Sequence, residues 1–299
     1  MTAATATKQA LLQRLDGLHQ IPTIPAVLAP LLRYLQQPVE QLDVQKVTDL
    51  LSQDKSLAAQ CLQMANSPLF GRAQNVQSLR GAVVSLGFHH VSDIAMSCGV
   101  LNMLPSDKAS LDPVVFWEHS LGCALVSRQI ARKINFGDPG KAYLAGLLHD
   151  LGIIVNLWVL PKEFRAAWEM GKGEGIPLHE AEQKSMGFTH CDSGRLLGER
   201  WALAPELIEV ISYHHAPEKS AEHTGLVALV QLADLLCRMS GLNYGYVEER
   251  QVNLAEESGF GLLAQHSTAL KDFDWARLTF ELDSYMDEVH SLVRAIYRT

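Results

Sequence analysis

Basic residues are in short supply in this sequence. Lys and Arg number 25 against 33 Asp and Glu, which gives a formal net charge of −8 at neutral pH. No run of Lys and Arg is long enough to follow a phosphate backbone, whereas nucleic-acid-binding domains normally present a basic face. We therefore expect no nucleic-acid partner for this chain.

Paired cysteines are absent as well. The five cysteines are an odd number, are widely spaced and include no Cys-x-x-Cys pair. This usage is typical of reduced, packed cysteines in a cytosolic protein and excludes a dense disulfide framework. The first ten residues also lack the basic start and apolar core of a secretory signal. Both observations favour a cytoplasmic location.

Long uninterrupted apolar runs are rare too. Residues 143–160 form the one segment that resembles a membrane span, but His149, Asp150 and Asn156 lie in its middle. Ionisable groups at those positions would be costly in lipid. The segment is predicted to be a buried helix of a soluble core, and no membrane association is expected.

Strand-like alternation is almost absent, and apolar residues recur at helical spacing along nearly the whole chain. The predicted fold class is all-α, a multi-helix bundle with an N-terminal helical subdomain over residues 1–104. The polar, proline-flanked residues 105–113 are predicted to be a linker, and residues 114–299 a second helical domain. Residues 241–270 show the least periodicity, and no element is predicted there.

Seven residues of the C-terminal half carry potential metal-binding chemistry: His119, His149, Asp150, His190, His214, His215 and Asp234. Asp150 and Asp234 lie in apolar helical segments, where a carboxylate loses its hydration and needs a cation or good donors. Apart from Arg238, neither aspartate has a Lys or Arg at helical spacing. A divalent transition metal would satisfy both, and mixed imidazole and carboxylate ligands suit Fe, Mn, Zn or Ni.

Each of these residues also has a simpler structural interpretation. His119 could be a core histidine bonded to a carbonyl, and His190 could begin a capped helix. The pair His214–His215 could complement a helix dipole, and Asp234 could pair with Arg238 along its own helix. The convergence of seven such residues favours a shared metal site. A hydrogen-bonded polar core without metal remains the alternative.

The order of these residues resembles a known family. His119, the adjacent His149–Asp150 and the later Asp234 resemble the four-residue metal signature of the HD superfamily of phosphoester hydrolases. His190 and His214–His215 resemble the additional ligands of the HD-GYP cyclic-di-GMP phosphodiesterases. From about residue 15 to about residue 239 the chain resembles the HDOD (HD-related output domain) family, through the motifs at 21–25 (IPTIP), 64–71 (MANSPLFG), 82–87 (AVVSLG), 116–120 (FWEHS), 146–152 (GLLHDLG) and 213–217 (YHHAP).

The residues that handle substrate in HD-GYP enzymes are not matched. Those enzymes carry Gly-Lys after the His-Asp pair, and here Gly152 is followed by Ile153. Their Gly-Tyr-Pro loop is replaced by residues 216–220 (APEKS). The HDOD resemblance implies an HD-like helical bundle in a signal-transduction protein, with a non-catalytic sensor or scaffold module and another signalling protein as partner. The alternative is a metal-dependent phosphohydrolase acting on a nucleotide or cyclic dinucleotide.

Overall fold

The computed structural model describes residues 39–70, 76–103 and 111–297, together with Gln13, Pro30, Leu31 and Tyr34. All regular elements in these residues are helices, and no strand occurs among them. The all-α prediction is therefore confirmed. The motif at 21–25 and most of the predicted linker at 105–113 lie outside the described residues.

The described chain forms two compact units. The first contains residues 111–282, and the second contains residues 39–70, 76–103 and 283–297. From residue 39 onwards, the described part of the second unit contains α1 (Val44–Ser52), α2 (Lys55–Ala65), α3 (Leu79–Leu101) and the last turns of the C-terminal helix.

Capping side chains stand at the beginning of the helices of the second unit, and a glycine interrupts one of these helices. The side chains of Asp43, Asp54 and Ser78 each accept a hydrogen bond from a backbone N–H at the start of α1, α2 and α3 respectively. Such caps satisfy donors that would otherwise have no partner. Within α3, Gly87 has a φ of 83°, a conformation that L side chains rarely adopt. It divides α3 into two helical pieces.

The first unit contains the remaining helices: α4 (Pro113–Lys133), α5 (Pro139–Leu148), α6 (Leu151–Val159), α7 (Pro161–Glu174), α8 (Leu178–Met186), α9 (His190–Arg200), α10 (Pro205–Tyr213), α11 (Thr224–Met239), α12 (Ser258–His266) and the start of α13 (Trp275–Tyr297). The residues between α11 and α12 are largely irregular, which explains their weak periodicity. Helices α4, α6 and α11 are buried on nearly all sides and form the core.

The stretch Pro139–Val159 is long and apolar enough to cross a bilayer by length and composition. In the structure, however, 89% of its most apolar window is buried inside the protein. The chain also leaves helical geometry at Asp150, where α5 gives way to α6. This segment therefore forms two helices of the protein core.

Two glycines allow these helices to approach their neighbours closely. A Cβ on Gly146 would lie 2.5 Å from the carbonyl oxygen of Cys123 in α4. A Cβ on Gly152 would lie 1.8 Å from the carbonyl oxygen of His190 in α9. Neither position accommodates a side chain without backbone movement. The junction between α5 and α6 is thereby held against α4 on one side and the start of α9 on the other.

Candidate metal centre

The structure brings all seven predicted ligand residues together in the first unit. His119 lies on α4, the pair His149 and Asp150 at the α5–α6 junction, His190 at the start of α9, His214 and His215 just after α10, and Asp234 on α11. Six of them are fully buried, and His215 is partly exposed. Their role as metal ligands remains a prediction, which the geometry of the cluster supports.

One half of the cluster surrounds the Oδ2 atom of Asp150. His119 Nε2 lies 3.4 Å from this oxygen, 3.3 Å from His149 Nε2 and 3.4 Å from Asp234 Oδ1. His149 Nε2 lies 3.2 Å from the same Asp150 oxygen. We call the space among these four side chains the first position.

The other half surrounds Asp150 Oδ1. His190 Nε2 lies 3.3 Å from this oxygen, 3.3 Å from His214 Nε2 and 3.1 Å from His215 Nε2. His214 Nε2 lies 3.5 Å from the same oxygen. We call the space among these side chains the second position, so that Asp150 contributes one oxygen to each position.

Backbone carbonyls fix the orientation of three imidazole rings. Their Nδ1–H groups donate hydrogen bonds to carbonyl oxygens: His119 to Leu242 at 2.8 Å, His149 to Gly146 at 2.7 Å and His214 to Val210 at 3.1 Å. A neutral ring that donates through Nδ1 presents an unprotonated Nε2. All three Nε2 atoms therefore face the cluster, where each can bind a metal ion once it has lost its proton.

A buried carboxylate orients the fourth ring. Glu182 Oε2 accepts from His190 Nδ1 at 2.6 Å and from the His190 backbone N–H at 2.8 Å. Its other oxygen accepts from Asn156 Nδ2 at 3.1 Å, and Ser193 donates to Asn156 Oδ1 at 2.7 Å. Carboxylate support behind a histidine is typical of metal sites, because it fixes the tautomer and makes the ring more basic.

These contacts provide a direct test of whether a metal fits. Each position gathers imidazole nitrogens and carboxylate oxygens at 3.1–3.5 Å from one another. Nitrogen ligands about 2.0–2.1 Å from one tetrahedral ion would be about 3.3 Å apart. Asp150 Oδ1 is buried and has no hydrogen-bond partner among the described residues, which is costly without a cation. The donor set therefore fits divalent metal ions.

Asp234 has a second partner. Arg238 donates to both of its carboxylate oxygens at 2.9 Å and also binds Glu248 at 2.7 Å. Burial opposes the charged form of Asp234, but the Arg238 guanidinium and the neighbouring histidines hold its pKa below the usual range. The helical pairing of Asp234 with Arg238 is thus present together with the convergence on His119. The two interpretations of Asp234 are compatible.

Tyr244 closes the first position from the irregular segment after α11. Its hydroxyl donates a hydrogen bond to Asp150 Oδ2 and lies 3.3 Å from His119 Nε2. Burial, together with the charges of Asp150 and Asp234, raises the pKa of Tyr244 well above its usual value. The hydroxyl is therefore a neutral donor at physiological pH.

The neighbouring charges and hydrogen bonds of the cluster raise the pKa values of His119 and His214. Burial opposes the charged form of His119, yet hydrogen bonds to Asp150 and Asp234 raise its pKa to about 10. Burial also opposes charge on His214, while Cys191 and Asp150 raise its pKa to about 10. Without a bound metal ion, His119 and His214 are therefore protonated at neutral pH and supply positive charge beside the carboxylates.

A cavity of about 600 Å³ opens beside the second position. His215 lies in its wall, stacked on His179 with ring centroids 3.9 Å apart. Burial and nearby positive groups lower the pKa of His179 to about 3. Cys191, Tyr213 and Lys219 also line the cavity. The second position is therefore next to a space large enough for a small molecule.

Several contributors to the site are not predicted from the sequence. Glu182 precedes His190 by eight residues across a turn, so helical spacing does not link them. Tyr244 lies in a segment without periodicity, where its residue type alone gives no signal. Cys191 directly follows His190, and this adjacency is the one feature of the sequence that indicates a further metal donor. Among these supporting residues, the sequence predicts only Arg238, which lies four residues after its partner Asp234.

Separate helices of this protein bring together a histidine, a His-Asp pair and a later aspartate, the residues through which the sequence resembles the HD superfamily. The sequence pattern of the HDOD domain family matches residues 21–217. The chain belongs to the HDOD family.

Three known proteins illustrate what the chain is similar to. An HDOD domain protein of unknown function from Geobacter sulfurreducens is 29% identical, with 98% of each chain covered and a TM-score of 0.82. A candidate phosphohydrolase from Shewanella amazonensis SB2B is 22% identical, with 96% of this chain and 98% of that one covered and a TM-score of 0.72. An uncharacterised protein of Treponema pallidum (strain Nichols) is 26% identical over 75% of this chain. The match spans 43% of that protein's length.

Proposed function

We propose that this protein is a signal-transduction component whose HDOD module binds divalent transition-metal ions and acts as a sensor or scaffold for another signalling protein. The position of Asp150 carries the proposal. Its two oxygens face two groups of imidazole nitrogens, and Oδ1 has no hydrogen-bond partner in the described chain. A buried carboxylate in this environment is best satisfied by metal ions.

Two ion positions follow from the donor sets. His119, His149, Asp150 and Asp234 would hold an ion in the first position. Asp150, His190, His214 and His215 would hold one in the second position. Bound ions supply positive charge and Lewis acidity. The protein's own contribution is orientation, through the carbonyls and Glu182 behind the rings.

A sensor or scaffold role is favoured by the residues that stand where HD-GYP enzymes have their phosphate-handling residues. Ile153 takes the place of the phosphate-binding lysine of HD-GYP enzymes, and it is fully buried in α6. Glu218 is exposed and carries a negative charge, which would repel phosphate. Fixed cationic and backbone donors that position a phosphate contribute several kcal/mol of barrier reduction in phosphoryl-transfer enzymes. Ile153 and Glu218 supply no such group.

Lys219 supports the second candidate, a metal-dependent phosphohydrolase acting on a nucleotide or cyclic dinucleotide. It lines the cavity that also contains His215. The structure gives it no ion-pair partner among the described residues. An ammonium group in the wall of this cavity is a suitable contact for a phosphate oxygen.

Elemental analysis of untagged protein purified without chelator tests metal binding. We expect transition metal in both positions. A protein that stays metal-free after exposure to Zn, Fe, Mn and Ni would contradict the proposal and favour a hydrogen-bonded polar core.

Turnover assays on metal-loaded protein separate the two functions. Suitable substrates are cyclic dinucleotides, guanosine polyphosphates and simple phosphodiesters, with Lys219→Met and the exposed Lys162→Met as a matched pair. The sensor or scaffold role predicts no steady turnover in any variant. Turnover that is lost in Lys219→Met and retained in Lys162→Met would instead establish the hydrolase.

A further inference from the structure

The second position contains a donor beyond the seven residues discussed so far. Cys191 is the second residue of α9 and directly follows His190. Its Sγ lies 3.9 Å from His214 Nδ1 and 4.0 Å from His214 Nε2. Ligand atoms of His190, Cys191, His214 and His215 all lie within 4.8 Å of one another. One thiol therefore shares the space of three imidazoles.

The start of α9 holds Cys191 in place. Thr189 Oγ1 accepts the Cys191 backbone N–H at 3.2 Å, and Asp192 Oδ2 accepts the Thr189 backbone N–H at 2.9 Å. This capping box fixes the first turn of the helix. The same turn also carries His190, whose ring is anchored by Glu182. His190 and Cys191 are thus presented to the second position as one rigid unit.

An independent observation indicates that a cation belongs in this space. Asp150 Oδ1 is fully buried, faces His190 and His214, and has no hydrogen-bond partner among the described residues. The carboxylate oxygen and the thiol sulfur lie next to the same two imidazoles. A nitrogen and a sulfur bound to one tetrahedral zinc ion would be about 3.6 Å apart. The observed distance between Cys191 Sγ and His214 Nε2 is 4.0 Å, close to that value.

We propose that Cys191 is a thiolate ligand of the second position, so that this position selects a thiophilic ion such as Zn(II), Co(II) or Fe(II) over Mn(II). The inference rests on the proposed metal binding and specifies its chemistry. Soft sulfur donors favour these ions, whereas sites made only of imidazole and carboxylate discriminate less. The two positions would then differ in metal preference.

Cys123 provides an internal comparison. It lies near the first position, with Sγ 3.5 Å from His119 Nε2. It forms a group of possible ligands with His119, His149 and Asp234. The carboxylate oxygens at the first position already accept hydrogen bonds, Asp150 Oδ2 from Tyr244 and Asp234 Oδ1 from Arg238. Asp150 Oδ1 at the second position accepts none among the described residues. We therefore assign the sulfur ligand to the second position.

Cobalt substitution tests the assignment. Full-length metal-free protein is loaded with Co(II), and its near-ultraviolet absorption is recorded together with the bound cobalt content. We expect a sulfur-to-cobalt charge-transfer band in the wild type and in Cys123→Ala, and its loss in Cys191→Ser. The preference of the wild type for Zn(II) over Mn(II) should fall at least about tenfold in Cys191→Ser.

The failure of this inference is distinguishable from failure of metal binding itself. Cobalt bound at both positions without a charge-transfer band would remove Cys191 from the ligand set and leave the proposed metal binding intact. A band that disappears in Cys123→Ala would assign the sulfur to the first position and overturn the inference. No bound cobalt would overturn both.

A second measurement uses the wild type alone, so that it does not depend on the folding of a variant. Alkylation of Cys191 by iodoacetamide is followed by mass spectrometry with and without Zn(II). Because a metal-bound thiolate is a weaker nucleophile, zinc should slow the alkylation at least about tenfold. An unchanged rate in zinc-loaded protein would contradict sulfur ligation.

Discussion

Among single residues, Asp150 has the most partners in the cluster. It faces His119 and His149 through one oxygen and His190 and His214 through the other. Every other member of the cluster belongs mainly to one position. The two positions are therefore chemically coupled through one carboxylate, and removing its charge affects both of them.

The shared carboxylate predicts an asymmetry between two isosteric substitutions. Asp150→Asn should weaken metal binding at both positions by at least about tenfold, since the loss of a group that merely supports a ligand already costs about that much. Asp234→Asn should weaken the first position and leave the second intact. Isothermal titration calorimetry with Zn(II) measures both affinities. Retention of one unaltered site in Asp150→Asn would disprove the bridging role.

Metal uptake should also depend on pH. The pKa values of His119 and His214 are raised to about 10 in the metal-free protein. Both nitrogens therefore carry protons at neutral pH, and an incoming ion must displace them. Metal affinity should rise from about pH 6 to about pH 9, with net proton release on binding. Calorimetry in buffers of different ionisation enthalpy measures this release, and an affinity independent of pH would contradict it.

The sequence identifies the seven residues of the cluster better than it identifies the residues that support them. Asp150 and Asp234 stand out because a carboxylate in an apolar helix needs a partner that the helix itself does not supply. Glu182 and Tyr244 do not stand out, because their partners come from across a turn and from an irregular segment. Residues that meet in three dimensions without regular spacing along the chain produce no periodic pattern in the sequence.

Among the elements, the α5–α6 junction has the greatest influence on the site. Adjacent residues of a continuous helix point about 100° apart, and they do not face one another. At Asp150 the backbone leaves helical geometry, with a ψ of 17°. His149 and Asp150 can therefore both face the cluster. The sequence predicts one long helix here, and the break follows from tertiary packing against α4 and α9.

The close approach of α6 to α9 gives a prediction at this scale. Gly152→Ala should destabilise the protein by at least about 2 kcal/mol and weaken metal binding, since its Cβ would meet the backbone of His190. The matched control is Gly173→Ala in α7, where a Cβ would have no atom within 4 Å. That change should be neutral or stabilise by up to about 1 kcal/mol. Urea denaturation measures both, and equal effects would contradict the packing argument.

For the whole molecule, the all-α class was predictable because apolar residues recur at helical spacing in most elements. The irregular residues between α11 and α12 were not predictable, although they supply the Leu242 carbonyl and the Tyr244 hydroxyl to the site. Their positions are determined by contacts with distant helices. The fold therefore follows mainly from local pattern, and the site depends on contacts between distant segments.

The separation of the ligands along the chain has a consequence for folding kinetics. Along the chain, the donors of the first position extend from His119 to Asp234. Those of the second position extend from Asp150 to His215. Such distant segments meet only after most of the helical bundle has formed, because loop closure opposes their early association. Bound ions should therefore slow unfolding and leave the folding rate nearly unchanged. Stopped-flow measurements with and without Zn(II) test this expectation, and an accelerated folding phase would show that the ligands assemble early.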